Sequence, residues 1–415
     1  MMRLLFWVSA LAIGYVYVGY TALLVVWATL RPRTIRTSAD PAAVPPRISI
    51  VVAARNEAAR LPARIENLLA LDYPSDRRQI IVVSDGSTDD TLNVLSRYAG
   101  VLQPLATPPC GKAAALNLGV AHATGDILIF ADARQSFAPD ALRALVAPFV
   151  DPAVGGVTGE LLLDCEASEV AGRRGLTPRR GTSGDRRTRV HGGPGRRWDV
   201  DRRGRLASTI ADGVGLYWRY EKQLRRLEST VGSTLGATGA IYALRRSLYR
   251  PLPDNTILDD VLTPMRAVLA GYRVVFSEQA IAFDRAAADA RAENRRKVRT
   301  LAGNIQILWQ EPRLLLPIVN PVWLQYVSHK LGRLIVPYAL LTLFAASLAL
   351  ADQHLFYALA LAGQCAFYLL GGYGAWLDCV ATRPARASEP KRTPRADTNM
   401  EASPASCREE RVVHA

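Results

Sequence analysis

The chain has 415 residues and a formal net charge of +14, enough for one large domain with accessory segments. A basic balance of this size invites a nucleic-acid reading. Twelve arginines against three aspartates between Arg173 and Arg205 supply nine of the fourteen charges, however, and aromatics are not interleaved with them as a strand-stacking surface requires, so nucleic acid is excluded as a partner. The five cysteines are scattered without a CxxC, which excludes a disulfide framework and reads as reduced thiols.

Leu4 to Leu30 is a run of 27 residues without a charge, longer than the roughly 30 Å hydrocarbon core demands at about 1.5 Å per residue. It is too long for the apolar region of a signal peptide, and Arg31-Pro32-Arg33 follows it in place of a small-residue cleavage site. Arg31, Arg33 and Arg36 after it, against Arg3 before it, put the downstream domain in the cytoplasm. Thr37 to Pro46 is a linker by composition.

From Arg47 the pattern alternates between strand and helix, as in a parallel sheet wrapped by helices. Strands are expected at Ile48–Ala54, Gln79–Val83, Ile127–Phe130 and Gly155–Leu163. Helices are expected at Ala58–Leu71, Ser87–Tyr98, Lys112–His122 and Pro139–Val150. The apolar run Ile127–Phe130 fits a strand buried on both faces, and Asp132 stands at its carboxyl end, where ligands of open α/β sheets sit. Residues 172–204 are dominated by Gly, Arg, Pro, Thr and Ser and read as a disordered insertion.

Order resumes with a helix at Leu216–Ser229, a Gly-rich turn leading into a short strand at Ser233–Tyr242, and a helix at Ile257–Ala270. Strands at Tyr272–Phe276 and Ala280–Phe283 precede a basic helix at Glu293–Trp309. Leu314 to Tyr326 is apolar, broken by Pro317 and Pro321, and suits the membrane interface. Leu334–Ala351 and Leu355–Leu377 are free of charge and joined by three residues, which reads as a transmembrane hairpin with its link outside. The tail 383–415 is basic and disordered by composition. His122, His191, His329 and His354 are isolated in sequence, and no cluster suggests zinc.

Six motifs punctuate the strand ends and helix starts. They are Ala54-Arg55-Asn56-Glu57, Ser84-Asp85-Gly86-Ser87-Thr88-Asp89, Gly111-Lys112 running to Asn117, Phe130-Ala131-Asp132-Ala133-Arg134, Gly236 to Ala240, and Leu258-Asp259-Asp260. In this order they resemble the family 2 glycosyltransferases over about Arg47 to Arg299, the insertion apart. The resemblance implies a GT-A fold, an α/β domain with a mixed, mostly parallel sheet, at residues 47–310. An interfacial segment (311–330) and transmembrane segments at 1–30 and 334–377 complete the expected organisation.

The resemblance also assigns roles. Asn56, Glu57 and Asp85 would line the nucleotide pocket, and Lys112, at a helix start, would face the diphosphate. Asp132 matches the first aspartate of the family's Asp-x-Asp motif and would hold Mg²⁺ or Mn²⁺. The second aspartate is Arg134 here, which exchanges a ligand for a fixed cation, with Asp284 a substitute ligand. Asp260 takes the place of the general base, with Asp259 and Gly239 on the acceptor side. Polymerising members carry Gln-x-x-Arg-Trp before the membrane segment. Arg299 is retained at that place but Thr300 replaces the tryptophan, which favours adding one or a few sugars over processive synthesis.

The expected activity is inverting transfer from a nucleotide sugar, UDP-linked in the first instance, to a lipid-linked or glycan acceptor. The expected location is the cytoplasmic face of a bacterial inner membrane. A non-catalytic nucleotide-binding subunit of a membrane complex is the reading from another class. A dinucleotide oxidoreductase is disfavoured because no GxGxxG follows the first strand.

Overall fold

The computed structural model describes residues 1–36, 44–163, 219–284 and 290–381. The 172–204 insertion, the 383–415 tail, His191 and most of the Thr37–Pro46 linker lie outside the described residues. In chain order the elements are α1 (Met2–Leu30), β1 (Ile48–Ala54), α2 (Leu61–Leu69), β2 (Arg78–Asp85), α3 (Thr91–Ser96), β3 (Gln103–Thr107), α4 (Lys112–Ala121), β4 (Ile127–Asp132), β5 (Ser136–Phe137), α5 (Ala141–Val146) and β6 (Val154–Leu163). There follow α6 over 219–231, β7 (Ile241–Arg245), α7 (Asp259–Leu269), β8 (Arg273–Asp284), α8 (Ala290–Gln310), α9 (Trp323–Leu350) and α10 (Leu355–Ala381).

Among the described residues, eight strands form one sheet in the order β3-β2-β1-β4-β7-β6-β8-β5. The pairs β2–β3, β1–β2, β1–β4 and β6–β8 are parallel, whereas β4–β7, β6–β7 and β5–β8 are antiparallel. This is the mixed, mostly parallel α/β sheet that the strand–helix alternation implies. The central strands are apolar, Ser49 of β1 apart, because each side of the sheet is covered. In β1, Ile48, Ile50 and Val52 pack with Leu61, Ile65 and Leu68 of α2. Val51 turns to the opposite side and meets Ala113, Ala115 and Leu116 of α4. β4 divides in the same period-two manner, with Ile127 and Ile129 on one side and Leu128 and Phe130 on the other. The second side also receives Val261, Leu262 and Met265 of α7 and Ile307 of α8.

Parallel pairing brings the ends of three strands to one edge, with Ala54 opposite Ser84 and Ala53 opposite Asp132. That edge is the crevice in which open sheets hold ligands.

Several boundaries differ from the sequence expectations. β3 was hidden by Pro104 and polar neighbours, and it is an edge strand, where proline is tolerated. The two strands expected over 272–283 are one continuous β8, which pairs with β6 on either side of the polar Ser277-Glu278-Gln279, where the register shifts between Thr158 and Glu160. The helix expected from Ser87 begins at Thr91, whose N–H is held by Asp89 Oδ1 at 3.0 Å.

Among the described residues, three helices are long and apolar enough to cross a membrane: Met2–Leu30, Trp323–Leu350 and Leu355–Gly374. The chain divides into two compact units, Leu11–Pro337 and Met1–Ala10 with Tyr338–Ala415. In the smaller one, Phe6 meets the rings of Trp7, Phe356 and Tyr357 edge-on, and Arg3 donates to Gln353 Oε1 at 3.2 Å. In the larger one, α1 and α9 each contain a π-helical turn, at Tyr15–Gly19 and Tyr326–Leu331. These turns meet where the Tyr15 and Ser328 hydroxyls lie 2.8 Å apart.

Candidate active site

β2 delivers Asp85 to the crevice with its side chain buried. The residue after it is Gly86, whose φ of +55° and close approach to the Pro109 backbone exclude a side chain. One Asp85 oxygen accepts the backbone N–H groups of Cys110 at 2.8 Å and Gly111 at 2.9 Å; the other lies 3.9 Å from Arg55. Asp85 thus fastens the turn that starts α4 and places Lys112, the next residue, over the sheet edge.

Lys112 joins the two acidic motifs. Its Nζ lies 3.1 Å from Asp132 Oδ1 and 3.2 Å from Asp259 Oδ1. Burial alone would lower the ammonium's pKa, but Asp259, Asp132 and Asp260 raise it, so it remains charged. The second Asp259 oxygen is buried with no hydrogen-bond partner.

Asp260 follows in the first turn of α7. A Cβ on Gly239 would stand 2.8 Å from its Oδ2, so the Gly-rich turn is cut to fit this carboxylate. The Asp260 carbonyl accepts the Ala237 N–H at 2.7 Å and locks turn to helix. Burial and the neighbouring Asp259 push the Asp260 carboxyl up to about 6, with Lys112 and Lys330 opposing.

The other motif residues serve the frame. Asn56 sits at φ 54°, and its Oδ1 accepts the Thr88 N–H at 2.8 Å. The Glu57 carboxylate receives Arg60 at 2.8 Å. Arg134 is paired with Asp284 at 2.9 Å, and Gln135 donates to the same Asp284 oxygen at 3.0 Å. The carboxylate considered as a substitute ligand therefore already faces a guanidinium and an amide. Asn117, at the end of the Gly-Lys motif, holds the Leu252 backbone by both its N–H and its carbonyl and accepts the Tyr249 hydroxyl. Arg299 reaches the Ile257 carbonyl at 3.4 Å, two residues before Asp259.

Three features escaped the sequence reading. Arg64 is buried with its guanidinium 4.1 Å from the centre of the Phe137 ring, and its Nε and Nη2 lack partners. Burial pulls it down to about 9, with Asp132 opposing. His329 is not isolated in space: its Nδ1 is 2.7 Å from Glu228 and its Nε2 3.7 Å from Glu221, with Tyr20 and Arg333 completing the network. Burial would raise Glu221, yet His329 and Arg333 hold it near 2. Lys330, whose charge acts on Asp260, comes from the next position of the same helix. No local sequence pattern marks these residues, because their partners lie far along the chain. Two surface hollows of about 310 and 440 Å³ lie elsewhere, beside Arg33 and Arg226 and beside Asp126 and Arg245.

Among the described residues no group of three His, Cys, Asp or Glu side chains is arranged to hold a metal. Asp132 offers one carboxylate, with an oxygen beyond its contact to Lys112. That fits a divalent ion bound through one protein carboxylate and substrate phosphates.

Residues 49–196 match the family described as Glycosyl transferase family 2. A beta-monoglucosyldiacylglycerol synthase from Synechocystis sp. is 35% identical over 125 residues, covering 28% of this chain and 26% of that protein. A poly-beta-1,6-N-acetyl-D-glucosamine synthase from Staphylococcus aureus is 32% identical over 117 residues, covering 27% and 28%. The chain thus spans about a quarter of the length of these curated relatives. The mannosyltransferase PcManGT from Pyrobaculum calidifontis, solved with GDP-Man and Mn²⁺, superposes with a TM-score of 0.65 at 23% identity, over 91% of this chain and 94% of that one. Residues 49–196 thus match glycosyl transferase family 2, and the described domain has the GT-A fold.

Proposed function

We propose that the chain transfers a sugar, with inversion, from a nucleotide-sugar donor to a lipid-linked or glycan hydroxyl at the cytoplasmic face of a membrane. The observation that carries this reading is the bridge that Lys112 makes between Asp132 and Asp259, with Asp260 beside it against Gly239. In our reading Asp260 takes the acceptor's hydroxyl proton as the oxygen attacks the anomeric carbon. The bond from that carbon to the diphosphate breaks, and the nucleoside diphosphate leaves with the electron pair.

A carboxylate with a pKa near 6 is a stronger base than an ordinary aspartate, yet it is mostly ionised at pH 7. Lys112 supplies fixed positive charge where the leaving group becomes negative. Asp132 would hold Mg²⁺ or Mn²⁺ against the diphosphate, and the ion would neutralise part of its charge. Asn56, Glu57 and Asp85 frame the nucleotide side, Arg134 and Arg299 add cations to the donor side, and Gly239 and Asp259 border the acceptor. A lipid acceptor is supported by the three apolar helices and by the glucolipid synthases among the relatives. Thr300 in place of a tryptophan supports short rather than processive addition.

The test is nucleotide release from a panel of UDP- and GDP-linked sugars by the full chain in membranes, with and without chelator. One donor should be consumed, and Asp260→Asn should reduce turnover at least ~10³-fold while leaving nucleotide binding intact. Turnover surviving that substitution would falsify the assignment of the base, and full activity in excess chelator would remove the metal.

A further inference from the structure

α8 is fastened to the catalytic segment along one side and bare along the other. On the fastened side, Gln306 Oε1 accepts the Ile257 N–H at 2.9 Å and its Nε2 donates to the Asn255 carbonyl at 2.7 Å. Gly303 lies so close to Leu258 that a Cβ would stand 2.5 Å from Leu258 Cγ, and Ile307 is fully buried. These contacts fall on residues 255–258, which run directly into Asp259 and Asp260.

At about 100° per residue, Val298, Leu301, Ile305 and Trp309 fall together on the opposite side. They are exposed to 59%, 51%, 51% and 84%. Scattered exposed apolar side chains are ordinary, but four in register along a helix are not. The exposed Arg295 and Lys297 flank the stripe. It continues past the helix end through Leu315, Leu316 and Ile318, the last 98% exposed, to Trp323, where the apolar α9 begins.

We infer that α8 lies in the headgroup layer of an anionic bilayer, with Val298, Leu301, Ile305 and Trp309 at the acyl boundary, and that this contact holds the 255–258 segment in place for Asp260. Three features of the helix select a lipid surface as the occupant: the continuity of the stripe with a membrane-length helix, the basic flanks, and a tryptophan at its edge. The membrane contact stands apart from the glycosyl-transfer reading; only its effect on turnover rests on that reading.

The experiment uses the full chain reconstituted into phosphatidylcholine vesicles with and without about 30% phosphatidylglycerol, a fraction chosen to give an anionic surface. The fluorescence of Trp309 is isolated as the difference between wild type and Trp309→Phe. Lipids brominated near the headgroup should quench that component, and lipids brominated near the chain end should quench it less. An unquenched component, or disulfide cross-linking of Trp309→Cys between copies, overturns the membrane contact. Leu301→Glu with Ile305→Glu should abolish the shallow quenching and lower donor turnover several-fold in anionic vesicles, with nucleotide binding in detergent unchanged. Both changed residues are exposed, so folding is not at issue. Quenching lost with turnover unchanged overturns the coupling to Asp260. If no donor is consumed even by wild type, the glycosyl-transfer reading fails while the quenching result still decides the membrane contact.

Discussion

Asp260 and Asp259 are neighbours in sequence but not in circumstance. Asp259 has one oxygen against Lys112, whereas Asp260 stands against a glycine with its carboxyl raised to about 6 by burial and by Asp259. Because the ionised form is the base, turnover should rise with pH through about 6 and then level off. A pH–rate profile for donor consumption checks the sign: a limb placed near 4, as for an ordinary aspartate, would contradict it. Gly239→Ala probes the same contact sterically, since the added methyl would stand 2.8 Å from Asp260 Oδ2 and displace it. We expect kcat to fall on the order of 10–100-fold with donor affinity unchanged, because ångström-scale misplacement is costly for positioned groups. At this scale the motif residues were legible, since each marks a strand end or a helix start. The Lys112 bridge was not, because it joins three segments that only the folded sheet brings together. Arg64 was invisible for the same reason: it reads as an ordinary helix residue until Phe137 closes over it.

Elements with an uninterrupted apolar run or a clear helical period were readable, and those that depend on their neighbours were not. β1 and β4 are apolar because both sides of the sheet are covered, so sequence and environment agree. β3 depends on hydrogen bonds to β2, and β8 on its pairing with β6 to either side of a register shift; neither appears in a local pattern. Gly125 illustrates the same dependence. A Cβ there would stand 2.5 Å from the Ile48 carbonyl carbon and 2.6 Å from the Ser49 nitrogen, both backbone atoms at the start of β1. Neither can yield without parting β4 from β1. Gly125→Ala should therefore cost about 1–3 kcal/mol, as overpacking does, and lower the thermal midpoint in detergent by roughly 2–10 °C for a domain of this size. An unchanged midpoint would mean that the β1–β4 junction is looser than these distances require.

At the scale of the whole molecule, charge and hydropathy together suggest an orientation. Arg31, Arg33 and Arg36 follow the first apolar helix, and Arg295, Arg296, Lys297 and Arg299 precede the second, so the stretch between these helices carries cations at both its membrane boundaries. The three-residue link Asp352-Gln353-His354 has no such excess. In the orientation we propose, the sheet domain lies in the cytoplasm and the link outside, as the positive-inside tendency favours. The Arg3–Gln353 hydrogen bond agrees, because it requires the amino terminus and the link to share one side. Impermeant maleimide applied to intact cells tests this directly. Gln353→Cys should be labelled from outside above the wild-type background, and Ser96→Cys, at the end of α3, only after permeabilisation. The reverse pattern would put the carboxylate cluster on the far side of the bilayer from cytosolic nucleotide sugars, and the proposed donor could not reach it.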